Sequence, residues 1–554
     1  MNYHIETSAW QTTKTETGEQ GTVINQSYYY HSWKEKLIKF SLLKNSIEFL
    51  PFVSSPIMAI SKNEKYLVAS GSDNSIRLYN LAELKEVAKL FIFDNKNYFA
   101  ITPDNYYISS KNGISKIAIR NKGTVYSMDQ FDLLYNRPDI VLERIGTASP
   151  EQIEMYKKSY FKRLRRLNFS ENMLTGEFHL PEVTILKKED IPLNTQNPDL
   201  LLECLITDSK YRLDKLNIYV NDVPVYGMSG HDLRSIKTDT LLHTTIITLS
   251  SGKNNIKVDC INEKGVQSIK DNFTIYYEPP LIEKPHIYFI GIGVKNYFDS
   301  SMNLTYSAKD IRDMTTAFSK RYPDCIIDTL IDNMVTKENI LNLKAKLQKT
   351  NVDDKVILSI SGHGLLSKNL DFYYATYDVN FKNPVERGLL YEDLESLLDN
   401  IPARNKLLLL DACHSGEVDK DSSTNGKTLV GDSLSANVKA LKPKGALFIK
   451  KGALGLQNSF ELMQELFSDL SNGSGATVIS AAGGMEYAFE GSNWNNGVFT
   501  YSVLRCLEEN GTSSDGVAVS KIKDCVTEKV MKLTNGRQKP TSRREYSGND
   551  FIIW

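Results

Sequence analysis

The chain lacks any apolar run near the roughly 18 residues a membrane helix needs, so no membrane span is expected. It also lacks an excess of charge: 66 Lys and Arg balance 67 Asp and Glu. A net charge of −1 gives no pull towards nucleic acid or a membrane surface. Cysteine is scarce, and the six positions (204, 260, 325, 413, 506 and 525) show no CxxC and no metal-ligand spacing. That usage suits a reducing compartment and predicts neither a disulfide framework nor a resident metal. The first twenty residues are polar and lack the apolar core of a signal peptide. A cytoplasmic protein is the expectation. At 554 residues the chain is too long for one core, and two to four domains are expected.

What is present concentrates in two stretches. Lys406-Leu-Leu-Leu-Leu-Asp-Ala-Cys-His-Ser-Gly416 carries four consecutive leucines, which read as a strand buried on both faces of a parallel sheet. Cys413 follows directly, where open α/β sheets hold their chemistry. Lys355-Val-Ile-Leu-Ser-Ile-Ser-Gly-His-Gly364 repeats the design and ends on His363. With the two strands parallel and close, an imidazole faces a thiol across the strand tips. The imidazole would take the thiol proton and later return it to a leaving amine. The N–H groups of Gly364 and Cys413 would form an oxyanion hole.

Ser361-Gly-His-Gly364 and Asp411-Ala-Cys-His-Ser-Gly416, with His363 fifty residues before Cys413, resemble the motifs of caspase-like cysteine peptidases. The resemblance is to the metacaspase and bacterial orthocaspase branch, and it covers about residues 285–554. It implies an α/β caspase-like domain with a mainly parallel sheet. It further implies a cysteine endopeptidase using a His363–Cys413 dyad. Asp310, Ser361 and Asp378 match acidic or polar pocket positions of that branch, and Asp411 adds charge two residues before the thiol. Carboxylates converging there would suit Arg before the scissile bond, with Lys second, and not Asp. Asp310 has an alternative role in a capping box with Ser307, and Asp378 in a turn. Trp494 lies where the family lends a wall to the substrate groove, and packing is its alternative. The chemistry needs no cofactor. Calcium assists some relatives, and Asp353-Asp354 or Asp419 and Asp421 are candidates, although no EF-hand loop is present.

The long stretch 417–455 offers Lys439, Lys442, Lys444, Lys450 and Lys451 as autocleavage candidates, or is a plain surface insertion. The resemblance suggests a stress, defence or cell-death role.

The N-terminal half reads as β-rich. Residues 1–130 contain one stretch resembling a WD-repeat blade (Pro56 to Leu81) and a weaker echo (Tyr98 to Ile119), too few to close a propeller. Residues 131–179 form a helical connector that starts its main helix at Ser149-Pro150 and shows a basic face from Lys157 to Arg166. Residues 180–280 have the strand spacing of an immunoglobulin-like sandwich, and 285–554 form the peptidase domain. An unknown protein or ligand binding the N-terminal region would activate the enzyme on a protein substrate. Self-activation without a partner is a further possibility. The non-enzymatic alternative is a caspase-fold scaffold that serves interactions only. The Gly291-x-Gly293 pair is not read as a dinucleotide site, because position 296 is Asn.

Overall fold

The computed structural model describes residues 65–412, 473–481, 488–511, 516–544 and 550–554. Short breaks fall at 71–72, 84, 96, 111, 122–123, 147, 176–178, 282 and 368–370. Most of residues 3–60, and residues 442–443, are described as backbone strands only. Two compact units result: residues 1–178 with 264–267, and residues 179–263 with 268–554.

The first unit contains a six-stranded antiparallel meander from Ile57 to Ser109, its strands in sequence order. The expected blade and its echo are therefore parts of one sheet. The strand Glu86–Ile92 lies between them, paired with both, and the Asp94–Asn97 turn leads from it into the echo, with the Asn97 N–H bonded to Asp94 Oδ1 at 2.8 Å. The helix Pro150–Arg166 starts as its sequence predicts. Ser149 Oγ accepts the Gln152 N–H, and Gln152 Oε1 accepts the Ser149 N–H. Its basic face is not uniformly solvated. Arg163 turns inward, donating to Asp132 Oδ2 at 2.8 Å and the Asn136 carbonyl at 2.9 Å.

The second unit joins a two-sheet β-sandwich to an α/β layer. In the sandwich, Glu182–Ile185, Asp199–Thr207 and Thr240–Thr248 form one sheet, and a second sheet is built around Gly252–Asn262. Leu202, Cys204, Ile206, Leu216, Ile218 and Val258 fill the space between them.

The α/β layer holds a six-stranded sheet. Its strands are β1 (Ile287–Gly293), β2 (Ile326–Ile331), β3 (Lys355–Gly362), β4 (Asn405–Ala412), β5 (Thr477–Ser480) and β6 (Thr541–Arg544), in spatial order β2-β1-β3-β4-β5-β6. The first five are parallel and β6 is antiparallel. The apolar segment Phe551 to Trp554, strand-like in sequence, makes only a single bridge from Ile552 to Ala518, and the sheet edge falls to β6.

Alternation along the strands assigns the two faces. Phe289, Ile357, Leu407, Leu409 and Ile479 face helices α1 (Ser307–Arg321), α2 (Val498–Asn510) and α3 (Val519–Leu533). Ile290, Ile292, Leu358, Ile360, Leu408, Leu410 and Ala412 face the other core, with Tyr297, Leu304, Val335 and Tyr374. Gly291 and Gly293 permit close packing of α1 on β1: a Cβ on either would come within 2.7 Å of Ile311.

The sandwich docks on the amino ends of the parallel strands. Arg404, just before β4, donates to Ser250 Oγ at 2.6 Å and to the Thr248 carbonyl. Asp353, just before β3, accepts the Ser251 N–H at 2.9 Å, and Asp399 accepts the Met228 N–H at 2.8 Å. Burial holds the Arg404 guanidinium down to about 10, with Asp353 opposing that shift.

Candidate active site

The carboxyl ends of β3 and β4 lie at the opposite end of the sheet from the sandwich. Their last paired residues are Gly362 and Ala412, so His363 and Cys413 each follow the final rung of one ladder. Cys413 itself lies outside the described residues. So do Lys439, Lys444, Lys450, Lys451, Asp419 and Asp421, and the side chain of Lys442. The backbone of Lys442 pairs antiparallel with Glu490.

His363 is buried and held from three sides. Its backbone N–H donates to the Tyr297 hydroxyl at 3.0 Å. The rings of Tyr297 and Phe381 pack on the imidazole with centroids 5.1 and 5.6 Å away. Its Nε2 stands 2.8 Å from the Met302 carbonyl. A carbonyl oxygen only accepts, so Nε2 carries the proton in this bond and the lone pair of the neutral ring is on Nδ1. Position 362 must be glycine, since a Cβ there would meet the Tyr374 ring at 2.9 Å and the Tyr297 hydroxyl at 3.0 Å. Gly364 opens a short strand paired with Tyr374.

Three of the expected pocket residues come together on the α1–α2 face. Ser361 and Asp411 are register partners on β3 and β4. Ser361 Oγ donates to Asp310 Oδ2 at 2.8 Å, and Asp411 Oδ2 accepts from Thr500 Oγ1 at 2.7 Å. All three are buried. Asp310 does not cap its helix. Its Oδ1 accepts the Gly497 N–H at 2.8 Å and Asn496 Nδ2 at 3.1 Å. Glu490 instead holds the entry to α1, its carboxylate accepting the N–H groups of Thr305 and Tyr306, just before the helix, at 2.9 and 3.1 Å.

Asp378 is not joined to this cluster. It accepts from Thr376 Oγ1 at 3.2 Å and pairs with Arg387 at 3.8 Å. Trp494 lies in the Gly491–Asn495 turn, half-buried against the core under α2 and α3, two residues before Asn496. Glu490, Asn496 and Thr500 escaped the sequence reading. They act on residues about 90 to 190 positions away, and no local pattern marks them.

The calcium candidates within the described residues have other partners. Asp353 holds the sandwich, and Asp354 accepts the N–H groups of His286 and Asn351 at 2.8 and 2.7 Å. Among the described residues, no group of three or more His, Cys, Asp or Glu is placed to hold a metal. The cysteines also differ from expectation. Cys506 and Cys525 form a disulfide, because α2 and α3 pack as a hairpin that brings residues 19 apart within a Cα separation of 6.0 Å. Burial pushes the Cys204 thiol up to about 12, Cys325 up to about 11 and Cys260 higher still. No helix among the described residues is long and apolar enough to cross a membrane.

Residues 289–551 match the family model of the caspase domain. No curated protein matches the chain. Among solved structures, the crystal structure of protein GSU0716 from Geobacter sulfurreducens is similar at 18% identity. It covers 48% of this chain and 95% of that one, with a TM-score of 0.33. Over residues 289–551 the chain is therefore similar to the caspase domain, a domain of cysteine peptidases.

Proposed function

We propose that the protein is a cysteine endopeptidase that cuts after Arg, and less well after Lys, with His363 and Cys413 as its dyad. The observation that carries this reading is the Gly362–Ala412 rung, from which both residues follow directly. His363 Nδ1 takes the Cys413 proton, and the thiolate attacks the carbonyl carbon before the scissile bond. The N–H groups of Gly364 and Cys413 hold the oxyanion. The C–N bond then breaks as His363 returns its proton to the leaving amine. Water, deprotonated by His363, hydrolyses the thioester and restores the thiol. Two facts support Cys413 as the nucleophile: three other thiols are raised by burial, and two are joined as a disulfide.

Asp310, Ser361 and Asp411 form the proposed pocket for the basic side chain. Asp378, engaged by Arg387, is left out of it. A signal binding the N-terminal β-rich region would control the enzyme. The sandwich grips the sheet at the end away from the site, so its influence would travel through the strands rather than by covering the dyad. A calcium requirement is read in the assay below, and autocleavage in 417–455 is read as loss of the intact band of active enzyme on prolonged incubation.

Matched fluorogenic peptides ending in Arg, Lys or Asp, with and without calcium, test the reading beside Cys413→Ala. Arg cleavage lost in the variant is expected. Preference for Asp overturns the pocket assignment. A Cys413 that reacts with no thiolate probe, together with no cleavage, overturns the enzyme in favour of a scaffold.

A further inference from the structure

The loop that holds the catalytic imidazole also displays an unusual surface. Between Tyr297, which packs on His363, and Met302, whose carbonyl takes the Nε2 proton, lies Phe298, which is 78% exposed. Exposed phenylalanine costs solvation free energy that burial would return, and this ring adjoins in sequence the tyrosine that packs on His363. Phe298 is not alone. Its N–H donates to the Tyr377 carbonyl at 2.9 Å, and the Tyr377 N–H donates to the Val335 carbonyl at 2.9 Å. The Phe298 and Tyr377 rings meet edge to face with centroids 6.3 Å apart. Met334, next in this ladder of loops, is 53% exposed. Backbone bonds thus lace three loops at the carboxyl end of the sheet, with Phe298 against Tyr377 and Met334 exposed on the neighbouring loop.

The platform and the acids lie on opposite faces. Ser361 and Asp411 point to the α1–α2 face, where Asp310 joins them. Tyr297, Val335 and Tyr374, which underlie the platform, belong to the core on the other face. The strand tips bearing the dyad stand between the two. A substrate chain crossing them has its basic side chain on one face and its next residues on the other. Direction follows from the chemistry. The group that protonates the leaving amine must stand on the leaving side, and the platform belongs to the loop wrapped around that group.

We propose that Phe298, with Tyr377 and Met334, binds an apolar side chain in the first or second residue after the scissile bond. This rests on the peptidase reading above. It gives the enzyme a two-part specificity: a cation before the cut and an aliphatic or aromatic residue after it.

Internally quenched peptides with Arg before the bond, and Leu-Leu, Gly-Gly or Asp-Asp after it, test the proposal. The expected result is a preference for Leu-Leu over Gly-Gly of about tenfold in kcat/KM, the scale of a methylene-sized apolar contact. Phe298→Ala and Phe298→Asp bring that ratio towards one, and Phe298→Leu keeps it. Met334→Asp lowers it as well. Because Phe298 is exposed, an unchanged melting temperature accompanies the loss. Cleavage of all three peptides without a Leu preference overturns the platform and leaves the peptidase standing. A ratio untouched by Phe298→Asp does the same. Absence of cleavage of every Arg and Lys peptide overturns both.

Discussion

Ser361 and Asp411 stand directly opposite each other on adjacent parallel strands, both on the face covered by α1 and α2. Asp310 reaches this pair from α1 through the Ser361 hydroxyl. Two carboxylates are therefore brought onto one hydroxyl-bearing wall beside the proposed dyad. Asp411→Asn keeps the shape and the Thr500 contact but removes a charge. Losing one member of a buried charge pair with substrate costs about 2–5 kcal/mol, so kcat/KM for Arg peptides should fall about thirtyfold or more. Asp310→Asn should fall similarly. A melting temperature held near wild type separates lost recognition from lost folding. Full activity of both variants on Arg peptides would remove these residues from the pocket.

How this wall was legible in the sequence, and how its supports were not, follows from range. The leucine run and the period-two alternation of β4 put Asp411 on a definite face once the strand was recognised. The sheet around His363 could be read because each buried strand is a contiguous apolar segment. Asn496 and Glu490 could not be read. Their partners, Asp310 and the entry to α1, are more than 180 residues away, and nothing local marks Glu490 for that role. The same holds for Cys506 and Cys525, whose pairing depends on how two helices pack. In the N-terminal half, short strands with turn residues signalled β structure but not strand order. A blade and a continuous meander share that local pattern.

The dock between sandwich and sheet depends on Arg404. It is buried, and it satisfies Ser250 Oγ and the Thr248 carbonyl. Arg404→Met leaves those acceptors without their donor, at a cost of about 1–3 kcal/mol. The expected outcome is a lower melting temperature and faster proteolytic cutting between residues 278 and 286, the segment that joins sandwich to sheet. Unchanged proteolysis there would mean that the remaining contacts at Asp353 and Asp399 suffice.

The sandwich should also weaken in acid. Tyr226 Oη and His243 Nε2 are 2.9 Å apart, and the His231 ring lies 4.9 Å from that of His243. Burial, and then the neighbouring His231, hold His243 below its ordinary 6.5. The unfolded chain therefore binds the proton more readily than the folded one. Stability from this site is complete above pH 6.5 and falls as the pH drops below it, by at most about 1.4 kcal/mol per pH unit. Met228, two residues beyond Tyr226, bonds Asp399 across the dock, so acid should loosen that contact too. Melting curves between pH 5 and 8 should show a smaller acid loss for His243→Gln than for wild type. Equal slopes would place the acid sensitivity elsewhere.

The Cys506–Cys525 disulfide ties the last turn of α2 to α3, and the first turn of α2 bonds Asp411 through Thr500. A cross-link closing a loop of this length stabilises by about 3 kcal/mol, largely by restricting the unfolded chain. Cys506→Ala with Cys525→Ala should lower the melting temperature, and reductant should lower that of the wild type towards the same value. Alkylation of denatured protein without reductant should leave these two cysteines unmodified. If all six are alkylated, the thiols are free in the prepared protein. The α2–α3 hairpin must then hold by its apolar contacts alone, as a reducing compartment would require of it.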